Sequence, residues 1–376
     1  MINLAWIISG FYADENDFGG VAAIHNLAKQ ISANPGISLT VFALYYPLSK
    51  SEFDLHRAKV FTFNTYPYAE LTWIRKLNAW RAMRKKFHEE ITRNKFDLLH
   101  SFWAAEPGYV AAKLSHKYKI PLIANICGGE LARFPEINYG LQLNYRQRHF
   151  IKKTFDAAKI IVSGSGFITD LAESYFDKTI KAKIRNLAFG VDEKLFDPAL
   201  YKKADKAGSP VLINIAHSVP VKAHKDLLKA LGIVKHTYPN IFLQSYGFDE
   251  HDYIKNTAKQ MGLENNVKVN GFIDYKLIPR ALCEADVFVL SSLYESQNMS
   301  MLEAAFMGLP VVSTDVGIAR EITPYISMPG DHTALADNIL KAIGSPKPAY
   351  KDLHERFSLT SATNKFIELY KRVLSS

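Results

Sequence analysis

Cysteine is almost absent: Cys127 and Cys283 are the only two in 376 residues. They lie far apart, so neither a disulfide framework nor a Cys-x-x-Cys metal site can be read, and such usage suits a reducing compartment. Long apolar runs are missing as well. The N-terminal run, Leu4 to Ile8, is too short for a membrane span and has no basic leader or cleavage site. It reads as the first strand of a fold rather than a signal peptide. No Asp-x-Asp triplet, the usual clamp for a metal-bound diphosphate, occurs in the chain. A His-Glu-x-x-His zinc motif and a Gly-x-Ser-x-Gly nucleophile elbow are absent too, which removes two hydrolase classes.

What is present is apolar and unevenly charged. A hydrophobic content of 48% supports large buried cores, and the length fits two domains. The formal net charge is +9, and residues 1–190 hold 25 Lys/Arg against 16 Asp/Glu, while residues 191–376 hold 21 of each. The whole basic excess therefore lies in the first half, as for a partner that is nucleic acid, an anionic membrane surface or an acidic ligand. It is densest from Leu71 to Lys95, where Trp73, Ile74, Leu77, Trp80, Met83, Phe87 and Ile91 follow helical spacing. Arg75, Lys76, Arg81, Arg84, Lys85 and Lys86 fill much of the remainder. A basic amphipathic helix with tryptophans suits an anionic membrane surface, and it suits equally a core-packed helix with a solvated basic face. Nucleic acid is not expected, since no recognisable binding module accompanies the charge.

Strand and helix patterns alternate along the chain, as a parallel sheet covered on both faces requires. The first series of strands is predicted at Asn3–Ile8, Leu39–Leu44, Val60–Phe63, Leu98–Phe102, Leu122–Ile126 and Ile160–Val162. Helices are predicted over Val21–Ser32, Leu71–Thr92, Gly108–His116 and Leu141–Phe155. After the turn-rich stretch Asn186–Pro210, a second series runs Val211–Ala216, Ile241–Tyr246, Val267–Asn270, Val287–Leu290 and Val311–Ser313. The expectation is an α/β protein of two Rossmann-like, doubly wound domains facing across a cleft, with ligands at the carboxyl ends of the strands. The domains are placed at 1–190 and 191–357.

The segment Leu293–Gly317, LYESQNMSMLEAAFMGLPVVSTDVG, carries the most chemistry. It follows a short buried strand, and Met299, Leu302 and Phe306 then recur at spacings of three and four, giving a helix with one apolar face. Gly308 ends that helix and Pro310 prevents its restart. Glu303 sits beside the apolar stripe, where a carboxylate is costly unless hydrogen-bond donors reach it, and adjacent ribose hydroxyls are suitable donors. The amides around Gln297, Asn298, Met299 and Ser300 at the helix start suit a diphosphate. Together these read as a pocket for a nucleotide sugar.

Glu295 and Glu303, with seven residues between them, resemble the Glu-x7-Glu signature of the family-4 retaining glycosyltransferases. Val269-Asn270-Gly271-Phe272-Ile273, Leu282-Cys283-Glu284-Ala285-Asp286 and Val316-Gly317 match that family's usual surroundings in order and spacing. The resemblance implies the GT-B fold, with the last helix (within 358–376) packing back on the first domain. It implies a sugar transfer that retains anomeric configuration, with Glu295 on the sugar hydroxyls, Glu303 on the ribose, and Lys222 as a cation on the donor diphosphate. His217, five residues before Lys222, stands where the family usually has arginine, and Ala223 where it usually has glycine. A histidine lacks the planar fork of an arginine, so nearby His224 or Lys225 is a candidate to make up the charge. Phe272 and Ile273 lie where backbone groups meet the base in such folds. In the first domain, Gly20 of Phe18-Gly19-Gly20-Val21 resembles a phosphate-contacting turn. His100, ending Asp97-Leu-Leu-His100, resembles a strand end directed to the cleft. Cys127 stands where the family commonly has a histidine, and Glu130 is read as meeting an acceptor hydroxyl or capping a following helix.

The reading that results is a metal-independent retaining glycosyltransferase with a nucleotide-sugar donor, a glycan or lipid-linked acceptor and no cofactor. It is expected to be cytoplasmic, at the inner membrane face, in building a cell-envelope polysaccharide or glycolipid. Two alternatives stay open: a nucleotide-sugar 2-epimerase, which shares the two-domain architecture, and a catalytically silent subunit that binds nucleotide sugar or membrane.

Overall fold

The computed structural model describes residues 1–11, 21–45, 51–63, 72–202, 208–346, 348, 350 and 352–375. It divides into one unit of Met1–Gly190 with Leu359–Ser376 and a second of Val191–Ser358. In the first unit the strands are β1 (Ile2–Ile8), β2 (Ile37–Ala43), β3 (Glu52–Leu55), β4 (Ala58–Thr62), β5 (Leu98–Phe102), β6 (Leu122–Asn125), β7 (Ile160–Ser163) and β8 (Ile184–Asn186). Their order across the sheet is β3-β4-β2-β1-β5-β6-β7-β8, parallel throughout except for β3 against β4. Every residue of β5 and β6 is buried, the near-continuous apolar pattern of strands covered on both faces.

The second unit contains β9 (Val211–Ile215), β10 (Phe242–Tyr246), β11 (Val267–Val269), β12 (Val287–Leu290), β13 (Val311–Thr314) and β14 (Ile326–Ser327), all parallel. Their order is β11-β10-β9-β12-β13-β14. This is the doubly wound order in which the connections reverse direction between the first and fourth strands. Leu212, Leu243, Val287, Val289 and Val312 from the strands pack with Leu227, Leu231 and Ile339 from the covering helices.

The long strands and helices fall within a few residues of the sequence reading, because their apolar periodicity is strong. Three strands escaped it: β3, β8 and β14 are two to four residues long and lie at or near sheet edges. The predicted helix Leu141–Phe155 is broken. A 3-10 turn at Leu141–Leu143 precedes a helix over Tyr145–Ala157, because the Asn144 side chain accepts from the amides of Arg146 and Gln147 and starts the helix there. In the basic helix, Trp73–Arg93, the two tryptophans do not face outward. Trp80 is buried, meeting Phe150 edge-to-face and Tyr109 at a tilt, and Trp73 packs on Trp80 and Phe150 beneath the Arg146 guanidinium. The closing helix Leu359–Ser375 lies against the helix Ala22–Ala33 in the first unit.

Candidate active site

In the second unit the switch point falls between β9 and β12, and the loops that leave these two strands meet there. After β9 the chain passes through Ala216 and His217 into a 3-10 turn, Pro220–Lys222. Ala223 then takes a left-handed conformation at φ 48° and ψ 44°, one that glycine adopts without cost. After β12, Ser291 donates to the Lys222 carbonyl at 2.9 Å and the Leu293 amide donates to Val221 O at 2.8 Å. The two loops are thereby tied together.

These ties bring Lys222 and Glu295 into contact across 73 residues of sequence. Lys222 Nζ donates to Glu295 Oε1 at 2.6 Å, and the hydroxyl of Ser292 donates to the same oxygen at 2.7 Å. Glu295 is buried, and its Oε2 has no partner among the described residues. Gly317 holds the loop from behind. It has φ +56°, and a Cβ there would sit 2.7 Å from Gln297 O and 3.0 Å from Glu295 Cβ, so only glycine fits. The Ile318 amide also donates to Gln297 O, at 3.1 Å.

The helix Met299–Phe306 starts directly after this loop. Asn298, at φ 71°, caps it: its Oδ1 accepts from the Met301 amide at 2.8 Å and from the Ser300 hydroxyl at 3.1 Å. The same hydroxyl lies 3.2 Å from Ile215 O, which pins the helix start to the end of β9. The amides of Met299 and Ser300 keep no partner among the described residues. Buried Gln297 turns its side-chain amide toward Met299 Sδ, at 3.4 Å. Glu303 is 4% exposed and its carboxyl has no hydrogen-bond partner among the described residues. Burial alone pushes its pKa up to about 8.

His217 does not replace an arginine. Its Nδ1 accepts from the Phe248 amide at 3.0 Å, which fixes the tautomer with the proton on Nε2. Burial first, and then the Lys222 charge, lower its pKa. It therefore offers one N–H donor and no positive charge near neutral pH. Its ring stacks on Phe248 at 5.2 Å, and Phe248 on Phe272 at 5.4 Å, leaving both phenylalanines more than half exposed. The proposed stand-in His224 fails for the same reason more strongly. It is buried, bonded through Nε2 to Asn214 Oδ1 at 3.1 Å, and its pKa is pushed down to about 4, chiefly by burial. Lys225 is exposed on the following helix.

The candidate acceptor residues lie in the first unit. His100 is fully buried, with Nδ1 at 2.8 Å from the Tyr370 hydroxyl and Nε2 at 2.8 Å from Asn125 Oδ1. Burial pushes its pKa down to about 3, so it is a neutral link within the unit. Glu130 is also fully buried. Its Oε1 accepts from the amides of Ala104 and Cys127, both at 3.1 Å, and its Oε2 from Gly128 at 2.7 Å. It anchors the loop after β6 to the loop after β5, and the 3-10 turn that follows, Pro135–Ile137, has Phe134 and not Glu130 at its N-cap position. Cys127 is half-buried, and its thiol is held well above the usual range by burial and by the Glu130 charge. Gly20 lies outside the described residues.

Ser292, Phe248 and Asn214, the partner of His224, were not singled out from the sequence. Ser292 stands in the serine-rich loop before Glu295, and that loop was the only signal for it. Among the described residues no group of three or more His, Cys, Asp or Glu side chains is arranged to hold a metal ion. No helix among them is long and apolar enough to cross a membrane.

Two family models match the chain: Glycosyltransferase Family 4 over residues 19–195 and Glycosyl transferases group 1 over residues 198–358. An uncharacterised glycosyltransferase of Methanocaldococcus jannaschii is 21% identical over 308 residues, covering 74% of this chain and 76% of the relative. The N-acetyl-alpha-D-glucosaminyl L-malate synthase of Bacillus anthracis is 22% identical over 322 residues, covering 78% and 79%. Among solved structures, the sucrose-phosphate synthase of Thermosynechococcus elongatus superposes with a TM-score of 0.83 at 18% identity, covering all of both chains. With two Rossmann-like α/β domains matched in succession by these models, the chain belongs to the GT-B-fold glycosyltransferase superfamily.

Proposed function

We propose that the chain is a retaining, metal-independent glycosyltransferase that moves a sugar from a nucleoside-diphosphate donor to a glycan or lipid-linked acceptor in cell-envelope synthesis. The observation that carries this reading is the Lys222–Glu295–Ser292 cluster beside two helix amides without partners among the described residues, at the switch point of the second unit. Lys222 and Ser292 occupy one oxygen of Glu295, so the other is left to accept from sugar hydroxyls. Lys222 and the amides of Met299 and Ser300 face the charge that grows on a departing diphosphate, as preorganised electrostatics. His217 Nε2–H adds a neutral donor where an arginine would add charge. The buried carboxyl of Glu303, without a partner of its own, is suited to the two hydroxyls of a ribose.

In this reaction the bond from sugar C1 to the donor phosphate oxygen breaks as the acceptor oxygen bonds to C1 on the same face. The acceptor's proton passes to the departing phosphate oxygen, so no protein nucleophile is required. The positive charge supplied by Lys222 and the helix start takes the role a metal ion plays elsewhere. The likeness to a glucosaminyl–malate synthase and a sucrose-phosphate synthase supports the sugar-transfer class.

Calorimetric binding of UDP, GDP and ADP to the wild type and to Glu303→Ala, without added metal, tests the pocket. One nucleotide is expected to bind tightly and to lose about 2 kcal/mol in the variant, as for a lost charged hydrogen-bond partner. The anomeric configuration of the product, read by NMR, then tests retention. If no nucleotide binds, the silent-subunit reading takes over; if the nucleotide sugar is converted without an acceptor, the epimerase does.

A further inference from the structure

The helix Trp73–Arg93 and the helix Glu106–Tyr118 lie side by side in the first unit. Lys76 pairs with Glu106 at 3.1 Å, Trp80 meets Tyr109 at 6.1 Å and Phe87 meets Tyr118 at 5.5 Å. These contacts use the inner flank of each helix. Above them runs a groove of about 360 Å³ whose lining includes Arg81, Arg84, Lys85, His88, Lys113 and Lys117, and no acidic residue among the described residues. Arg81, Arg84, Lys85, Lys113 and Lys117 are exposed, and none of them makes an ion pair among the described residues. The nearest acids on the first helix, Glu89 and Glu90, are already engaged by Lys86, and Glu90 by Arg93 as well.

Five cations lining one groove with no counter-charge among the described residues repel one another, and salt screens that repulsion only beyond about 10 Å at 0.1 M. A polyanionic partner would relieve it. Ile74, Asn78, Arg81, Lys85 and His88 follow one another at spacings of four and three, so they share one exposed stripe. At its head Ile74 is 70% exposed, an apolar anchor beside the cations. Of the aromatic rings, Tyr109 and Tyr118 lie under the ammonium groups of Lys113 and Lys117, at 4.6 and 4.9 Å, and Tyr118 is bonded to His88, so these rings are covered rather than open as stacking platforms for a base. Cations in a row with one apolar side chain are what an anionic headgroup layer takes.

We propose that this two-helix groove docks the protein on a membrane surface rich in anionic lipid, with Lys113 and Lys117 as much a part of the contact as Arg81, Arg84 and Lys85. The inference stands apart from the transfer reading, because membrane binding is measured without any donor.

Co-sedimentation of the full chain with phosphatidylcholine vesicles, with and without phosphatidylglycerol, tests it. The wild type is expected to sediment only with the anionic vesicles, and high salt is expected to release it. Each cation removed is expected to weaken partitioning about fivefold, so Lys113→Ala with Lys117→Ala should cost about 25-fold, and Ile74→Ser less. Unchanged thermal melting of these surface variants confirms that the fold is intact. Equal binding to neutral vesicles, no binding to anionic ones, or wild-type binding by the Lys113/Lys117 variant overturns the proposal. Tight binding of a DNA or RNA duplex that excludes the anionic vesicles overturns it in favour of nucleic acid.

Discussion

In the first unit, His100 stands in the middle of β5 and Glu130 in the loop after β6, with both polar ends of each side chain satisfied from within the unit. In the second, among the described residues, Glu303 stands buried with nothing to accept from, Glu295 has one oxygen committed and one open, and two helix amides are left over. The residue types are similar; the bookkeeping of hydrogen bonds is opposite. A buried polar group whose partners are complete holds the fold, whereas one with an unfilled requirement is waiting for a ligand or is a standing cost. By that criterion the unfilled hydrogen-bond requirements lie in the second unit, while His100 and Glu130 have theirs met by the fold.

The largest expected effect breaks the open side of this comparison. Lys222→Ala should lower the rate of sugar transfer by about 10³-fold, the upper range for removing one preorganised charge from a transition state. Initial-rate kinetics at saturating donor would show it, and a loss smaller than tenfold would move the leaving-group contact elsewhere. On the closed side, His100→Ala should destabilise folding by about 3 kcal/mol, since it opens a cavity and leaves the Tyr370 hydroxyl and Asn125 unpaired. Urea unfolding measures this, while nucleotide affinity should stay unchanged; a fall in affinity would return His100 to the site. The wild-type His100 has a folded pKa depressed to about 3 from 6.5, so its stability contribution is present above 6.5 and is lost as pH falls toward 3. The variant should lack that acid limb.

The smallest effect sharpens the comparison at Glu303. Its pKa is raised to about 8 in the unliganded protein, so its carboxyl is protonated at neutral pH. Ribose hydroxyls donate to the ionised form, so binding releases a proton and affinity rises with pH up to about 8, then levels off. Below that point the slope is at most about tenfold per pH unit. Calorimetry across pH 6 to 9 in buffers of different ionisation enthalpy reads both the slope and the proton release. A flat profile, or the same slope in Glu303→Gln, would place the titrating group elsewhere.

The sequence carried what depends on local pattern. The run Val287–Leu290 can be little but a buried strand, and Met299, Leu302 and Phe306 mark the apolar face of the helix that follows, so the α/β class and the Glu295–Glu303 spacing were legible. Asn144 shows the limit of periodicity: an apolar pattern continues across it, but its side chain captures two amides and starts the helix afresh. The two tryptophans of the basic helix show another, since spacing places them on a stripe without saying whether that stripe meets lipid or Phe150.

What the sequence determined by itself is therefore the element types, the class of fold and the presence of a strand–Glu–helix–Glu unit, all set by interactions between residues a few positions apart. Partnership was decided by the tertiary structure. Lys222 reaches Glu295 across 73 residues and His100 reaches Tyr370 across 270. No local pattern encodes whether a histidine is a cation in a site or a neutral link in a core. That depends on burial and on which amide or hydroxyl arrives at each ring nitrogen, and only the assembled sheet brings those groups together.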